Sequence, residues 1–157
     1  MKVFIGEYPK NETEKQQIDI QIDSWDTWNM DHTLAHIILP MLRQLKATKH
    51  GSPQTDLEDV PEHLHPKIAP SAANNYDDET VHDRWDWVMD EMIWAFEQSL
   101  IDDDESRFYD HSGVDNSLPL QQQVGQMKVD REGLAAHQKR KANGFRLFGK
   151  YYQGLWD

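Results

Sequence analysis

Near the start of the chain apolar and polar residues alternate with a period of two: Ile18, Ile20 and Ile22 are separated by Asp19, Gln21 and Asp23. That spacing places one face of a strand against a core and the other in water. Val3 and Ile5 offer an antiparallel mate across a turn carrying Pro9 and Asn11, so residues 1–24 are expected to form a β-hairpin. A lone two-stranded hairpin is marginal in water, and this one is expected to lean on helices.

Three later segments carry the helical period. The first runs over 27–48, with Asp26 as N-cap candidate, Leu34, Ile38, Met41 and Leu45 on one stripe, and Lys46, Lys49 and Gly51 marking its end. Pro40 inside it removes a backbone donor and crowds the carbonyl of His36, which predicts a kink. The second helix spans 80–101 and opens on Thr80, with Asp83 placed as the acidic member of a capping box. The third covers 130–152, with Leu134, Phe145, Phe148, Tyr152 and Trp156 on one side and Ala142 and Gly149 beside them permitting close approach. Between them, 51–79 and 102–129 are rich in Pro, Gly, Asn and acids and read as two long loops. The fold class is therefore α+β and helix-dominated: one domain over 1–157, with three long helices, the first kinked at Pro40, and an N-terminal β-hairpin.

On a helical wheel the second helix has two apolar sides. Trp85, Val88, Met89, Met92, Ile93 and Phe96 make a wide face, Asp83, Asp86, Asp90 and Glu97 an adjoining acidic stripe, and Trp87 and Trp94 stand on the far side. One reading buries the two indoles under the hairpin or a long loop, because large apolar patches seldom stay exposed. The other makes Trp87, Trp94, Asp90 and Glu91 a surface for a partner or for self-association, since Trp is enriched at binding hot spots. On the third helix Lys139, Arg146 and Lys150 share a flank and are expected to oppose the acidic stripe.

Composition narrows the chemistry. The 157 residues include no cysteine, which removes disulfides, thiolate nucleophiles and Cys-ligated metals together. A net charge of −12 argues against direct nucleic-acid binding, which needs Lys and Arg on phosphates. The charge is polarised: residues 51–110 hold 17 acids against three bases, whereas 111–157 hold seven bases against four acids. No signal-peptide core opens the chain and no apolar run reaches membrane length, so a cytoplasmic protein without a membrane span is expected. Gly-rich phosphate loops, nucleophile elbows, EF-hands and zinc-finger spacings are all missing from the sequence.

Two constellations remain. His32 and His36 stand at i and i+4, a spacing at which one helix offers two imidazoles to a divalent metal, with Asp86 and Asp90 as carboxylate ligands. The plainer reading is a solvated pair, since both lie on the polar side of their helix. Asp31 and His82 project toward apolar faces and form a candidate buried polar pair, an acid orienting an imidazole as in general-base sites. Both sit near helix ends, where partial exposure is the ordinary outcome.

The segments Trp25–Leu45 (WDTWNMDHTLAHIILPMLRQL), Arg84–Glu97 (RWDWVMDEMIWAFE) and Asn143–Asp157 (NGFRLFGKYYQGLWD) resemble a group of small uncharacterised proteins, of unknown function, from tailed bacteriophages, notably marine ones. The resemblance implies a phage origin and expression in the cytoplasm of an infected bacterial cell, and it assigns no residue a role. Taken together, the sequence predicts a non-catalytic phage accessory protein without a cofactor. It would act through an acidic, Trp-bearing surface on a host or phage protein, for which a nucleic-acid-binding protein is one candidate. The competing class is a small metal-dependent enzyme using His32, His36, Asp86 and Asp90.

Overall fold

A computed structural model describes residues 1–11, 13–66 and 78–156. Strands β1 (Lys2–Ile5) and β2 (Ile18–Gln21) form an antiparallel hairpin in which Val3 faces Ile20 and Ile5 faces Ile18. The Asn11 carboxamide oxygen accepts from the backbone N–H groups of Thr13 and Glu14 and holds the turn. The expected pairing is present, but the expected cover is not: every residue of both strands is exposed.

A one-turn 3-10 segment, Ser24–Thr27, follows the hairpin. Asp23 and Asp26 close a reciprocal capping box around it, so Asp26 serves as the inner member of that box and does not cap the first helix. Helix α1 starts at Met30 and ends at Thr48, passing through Pro40 at an exposed position without interruption. Its inward stripe is Ala35, Leu39 and Leu42 with Ile38 and Leu45 beside them. Leu34 and Met41, expected inside, are exposed, and the buried positions Ala35, Leu39 and Leu42 lie on a stripe turned from the expected one.

Helix α2 (Val81–Ser99) is the centre of the molecule and packs against both other long helices. Its wide apolar face is buried as the wheel requires: Trp85, Val88, Met89, Met92, Ile93 and Phe96 are all in the core. Each such side chain contributes roughly 1.5–3 kcal/mol of hydrophobic stabilisation. Thr80 occupies the N-cap position as expected, but its hydroxyl makes no cap bond; it donates to Asp78 and accepts from the buried Arg84 guanidinium. Arg84 and Asp78 form a close ion pair there.

The second long connection is not irregular. It contains a 3-10 turn, Ser106–Phe108, a two-residue strand β3 (Tyr109–Asp110), a short helix α3 (Leu120–Gln126) behind Pro119, and β4 (Lys128–Val129) paired with β3. Among the described residues there are thus four α-helices, three of them of 19 or 20 residues. The described part of the first connection adds 3-10 turns at Leu57–Asp59 and Glu62–Leu64, and buries Thr55, Asp59 and Val60; the rest of that expected loop lies outside the described residues.

Helix α4 (Arg131–Lys150) is capped by Asp130, whose carboxylate accepts from Gly133 N–H. Its inward face is His137, Gly144 and Leu147, with Tyr151 just beyond the helix, whereas Phe145, Tyr152 and Trp156 are exposed. Close approach occurs at Gly144, where an added Cβ would stand 2.5 Å from both Ala95 Cβ and the Glu91 carbonyl oxygen. Gly149 has open space around it and Ala142 is exposed, so neither serves that purpose.

Candidate functional site

Helices α1 and α2 run antiparallel, and a ladder of ion pairs joins them: Arg43 to Glu97 at 2.6 Å, Lys46 to Asp90 at 2.5 Å and Lys49 to Asp86 at 3.0 Å. The acidic stripe therefore faces α1, and the bases expected to meet it from the third helix are used elsewhere. Lys139 is exposed, while Arg146 and Lys150 reach the connection after α1.

This ladder separates the expected metal ligands. His32 Nδ1 donates to the carbonyl oxygen of Ser99 at 3.1 Å, at the far end of α2. Its Nε2 then accepts from His36 Nε2–H at 3.2 Å. Lys46, which holds Asp90, stands 14 positions along α1 from His32, about 20 Å of helix. The two imidazoles and the two carboxylates do not converge on one ion. Asp31 and His82 are likewise parted: both are exposed, and each sits at the N-terminus of its own antiparallel helix, at opposite ends of the pair. His82 instead shares a hydrogen bond at Nδ1 with the Ser52 hydroxyl, at 2.9 Å.

The α2–α4 side holds the residues expected to form a surface. Glu91 is buried, and both its carboxylate oxygens accept from Arg140 at 2.7–3.2 Å. The same guanidinium lies 4.0 Å above the Trp94 ring, and His137 packs edge-on to that indole at 5.3 Å. Trp87 is half-buried and packs on the core. Both indoles are thus covered in part by the body itself; for Trp94 the cover is α4, not the hairpin or a loop.

His137 is the buried imidazole that helical spacing did not reveal. Its Nε2–H donates to Asp104 at 2.9 Å, Lys141 donates to the same oxygen at 2.9 Å, and Arg107 donates to Nδ1 at 2.7 Å. Both ring nitrogens are thus engaged within the body, and the side chain is buried. Burial raises the Asp104 carboxyl, but hydrogen bonds from His137 and Lys141 outweigh it and hold the carboxyl below its ordinary value.

A second internal network centres on Asp59. Its carboxylate accepts from Tyr151 Oη at 2.6 Å, Lys150 at 2.6 Å and Arg146 at 2.5 Å. Asp56, Glu58 and Asp59 are close enough together to suggest a cation site. Lys150 Nζ already lies within 2.6–3.3 Å of all three carboxylates, so an ammonium supplies the charge that a metal would bring. Nearby, Ser52, Thr55, Leu57, Val81, His82 and Arg84 line a cavity of about 550 Å³. Among the described residues no carboxylate orients the other nitrogen of His82, as a Ser-His nucleophile would need.

The N-terminal arm is the opposite of this interior. Val3, Ile5, Ile18 and Ile20 fall on one face of the hairpin, and Ile22, Trp25, Trp28 and Met30 follow directly, with exposures from 42% at Val3 to 75% at Trp28. The two indoles pack edge-on at 4.3 Å, and the Met1 ammonium bonds Asp26 at 2.7 Å, tying the start of β1 to the Trp-bearing turn. No family model, no curated protein and no solved structure matches the chain. No helix among the described residues is long and apolar enough to cross a membrane.

Proposed function

We propose that this chain is a non-catalytic protein-interaction module whose contact surface is the N-terminal hairpin with Trp25 and Trp28. The surface expected on α2 is set aside: Glu91 and Trp94 are engaged by Arg140, and Asp90 by Lys46. The carrying observation is that the arm leaves a full apolar face and two Trp rings in water on a ribbon too small to be stable alone. A contact partner supplies the cover that the body does not. The resemblance to phage proteins supplies the setting, the cytoplasm of an infected bacterium.

A role as a nucleic-acid mimic is disfavoured by the same pairing, because much of the acid on α2 is neutralised by α1 and α4. The metal-enzyme reading lacks its expected ligand set, since His32 and His36 do not converge with Asp86 and Asp90.

The test is a comparison of wild type with the Trp25→Ala, Trp28→Ala double variant. Co-sedimentation and chemical cross-linking are measured both in purified solution and in extracts of infected cells. The expected result is loss of association with the thermal melting temperature of the body unchanged. Equal association of the two proteins in both settings refutes the reading.

A further inference from the structure

We infer that the occupant of the N-terminal surface is a second copy of this chain, packed hairpin face to hairpin face about a two-fold axis; this rests on the interaction reading above. Area is the first argument. Five aliphatic side chains roughly half exposed, and two Trp rings about two-thirds exposed, present on the order of 800 Å² of apolar surface. The largest apolar patch of an ordinary monomer is about 300–600 Å², while each partner of a standard stable interface contributes about 800 Å². One copy thus carries what one half of a two-fold dimer requires.

Charge is the second argument. Two molecules of net charge −12 repel, and they can meet closely only where carboxylates are missing from the contact. Strand alternation provides that place. Lys2, Phe4, Asp19 and Gln21 point away from the face that carries Val3, Ile5, Ile18 and Ile20, so the carboxylate of Asp19 stays off that face and stacking two such faces sets aliphatic groups against aliphatic groups. An interface with the same patch on both sides is self-complementary by symmetry. Stacking also converts two marginal ribbons into a two-layer, four-stranded core of the kind that is stable in water.

Because the attraction is apolar and the long-range term repulsive, added salt strengthens the dimer, the reverse of what it does to a complex held by opposite charges. The absence of cysteine from the whole chain allows a direct geometric readout.

The experiment uses the full chain in three arms. Sedimentation equilibrium from about 1 to 100 µM is expected to show a monomer–dimer equilibrium that tightens between low and high salt. An Ile5→Thr, Ile20→Thr variant keeps β-branching and therefore the strands, while a hydroxyl replaces the ethyl branch of each side chain at the contact; its dimer should be at least about 100-fold weaker. Single-cysteine variants Ile20→Cys and Asp19→Cys lie on opposite faces of β2. Under mild oxidation the first should form an intermolecular disulfide at least about ten times faster than the second.

A monomer at every concentration and salt, or equal cross-linking at positions 19 and 20, overturns the inference. If the wild-type monomer, but not the Trp25→Ala, Trp28→Ala variant, still retains a different protein from infected cells, the second copy is excluded while the interaction reading stands. If neither form of association depends on the arm, both fail.

Discussion

The helical body and the N-terminal arm solve opposite problems with the same kinds of residue. In the body, indoles and charged groups are closed on one another: Trp94 lies under Arg140, which holds Glu91, and Asp59 gathers Tyr151, Lys150 and Arg146. In the arm, isoleucines and indoles face water, and the Met1 ammonium pairs with Asp26. The body has two neighbours for α2 and therefore somewhere to put an apolar face. The arm has strand alternation and nothing described to lay it against. A satisfied interior explains stability; an unsatisfied exterior points to function.

The contrast breaks most visibly at the α2–α4 contact. Gly144→Leu is expected to cost about 3 kcal/mol or more, because its Cβ would meet the Glu91 carbonyl at 2.5 Å and backbone cannot step aside as a flexible side chain can. Gly149→Ala, in open space on the same helix, should instead stabilise by roughly 0.5–1 kcal/mol through helix propensity. Urea unfolding of the two variants decides it. Equal effects would show that the helices do not touch where the body is described as tightest.

Next in size is Asp59→Asn. The change leaves Arg146 and Lys150 facing a neutral group, and about 2 kcal/mol is expected, below the loss typical of fully buried pairs because both bases retain solvent. Chemical denaturation measures it. A change under about 0.5 kcal/mol would mean the network is ornamental.

Acid and base should then erode the body from two sides. The Arg84 guanidinium holds the Asp78 carboxyl down to about 2, with burial opposing it and Thr80 adding to it. A carboxyl lowered by folding stabilises above its ordinary value of 3.8, and that contribution is lost as pH falls from there through about 2. For Asp59 burial pulls upward, but the hydrogen bonds from Lys150, Tyr151 and Arg146 leave it lowered, so its loss falls on the same acid side. Tyr151 is pushed up to about 12 by burial first and by its bond to Asp59 second. Its contribution is present below its ordinary value of 10 and is lost as pH rises through about 12. Melting curves of wild type and Asp78→Asn between pH 5 and about 2 should converge toward the acid end; parallel curves would exclude the Arg84 pair as a source of acid sensitivity.

The division between the two regions was partly legible in the chain. Period-two alternation gave the antiparallel hairpin though not its register, and the wheel gave the buried face of α2. Alternation says which side of a strand is apolar, however, and not whether anything covers it, so the exposure of the arm was hidden. The inward face of α4 escaped for another reason: its buried positions include a histidine and a glycine, which carry no hydrophobic signal, while Phe145 and Trp156 carry a strong one and stay outside. Asp59 with Tyr151, and Ser52 with His82, join residues 92 and 30 positions apart, distances at which local spacing has no say.

The smallest expected effect sharpens the claim that the body is closed. Among the described residues, Thr55 Oγ1 and Arg84 Nε are buried side-chain atoms without a hydrogen-bond partner, and both residues line the cavity that holds the Ser52–His82 contact. A buried hydroxyl with no partner costs desolvation and returns nothing, so removing it at constant shape is neutral or favourable. Thr55→Val, which keeps the branch and drops the oxygen, should therefore raise stability by up to about 1 kcal/mol. A fall in melting temperature of several degrees would give the opposite answer: the hydroxyl would have a partner in solution, the cavity would hold a polar guest, and the search for function would have to move from the arm into the body.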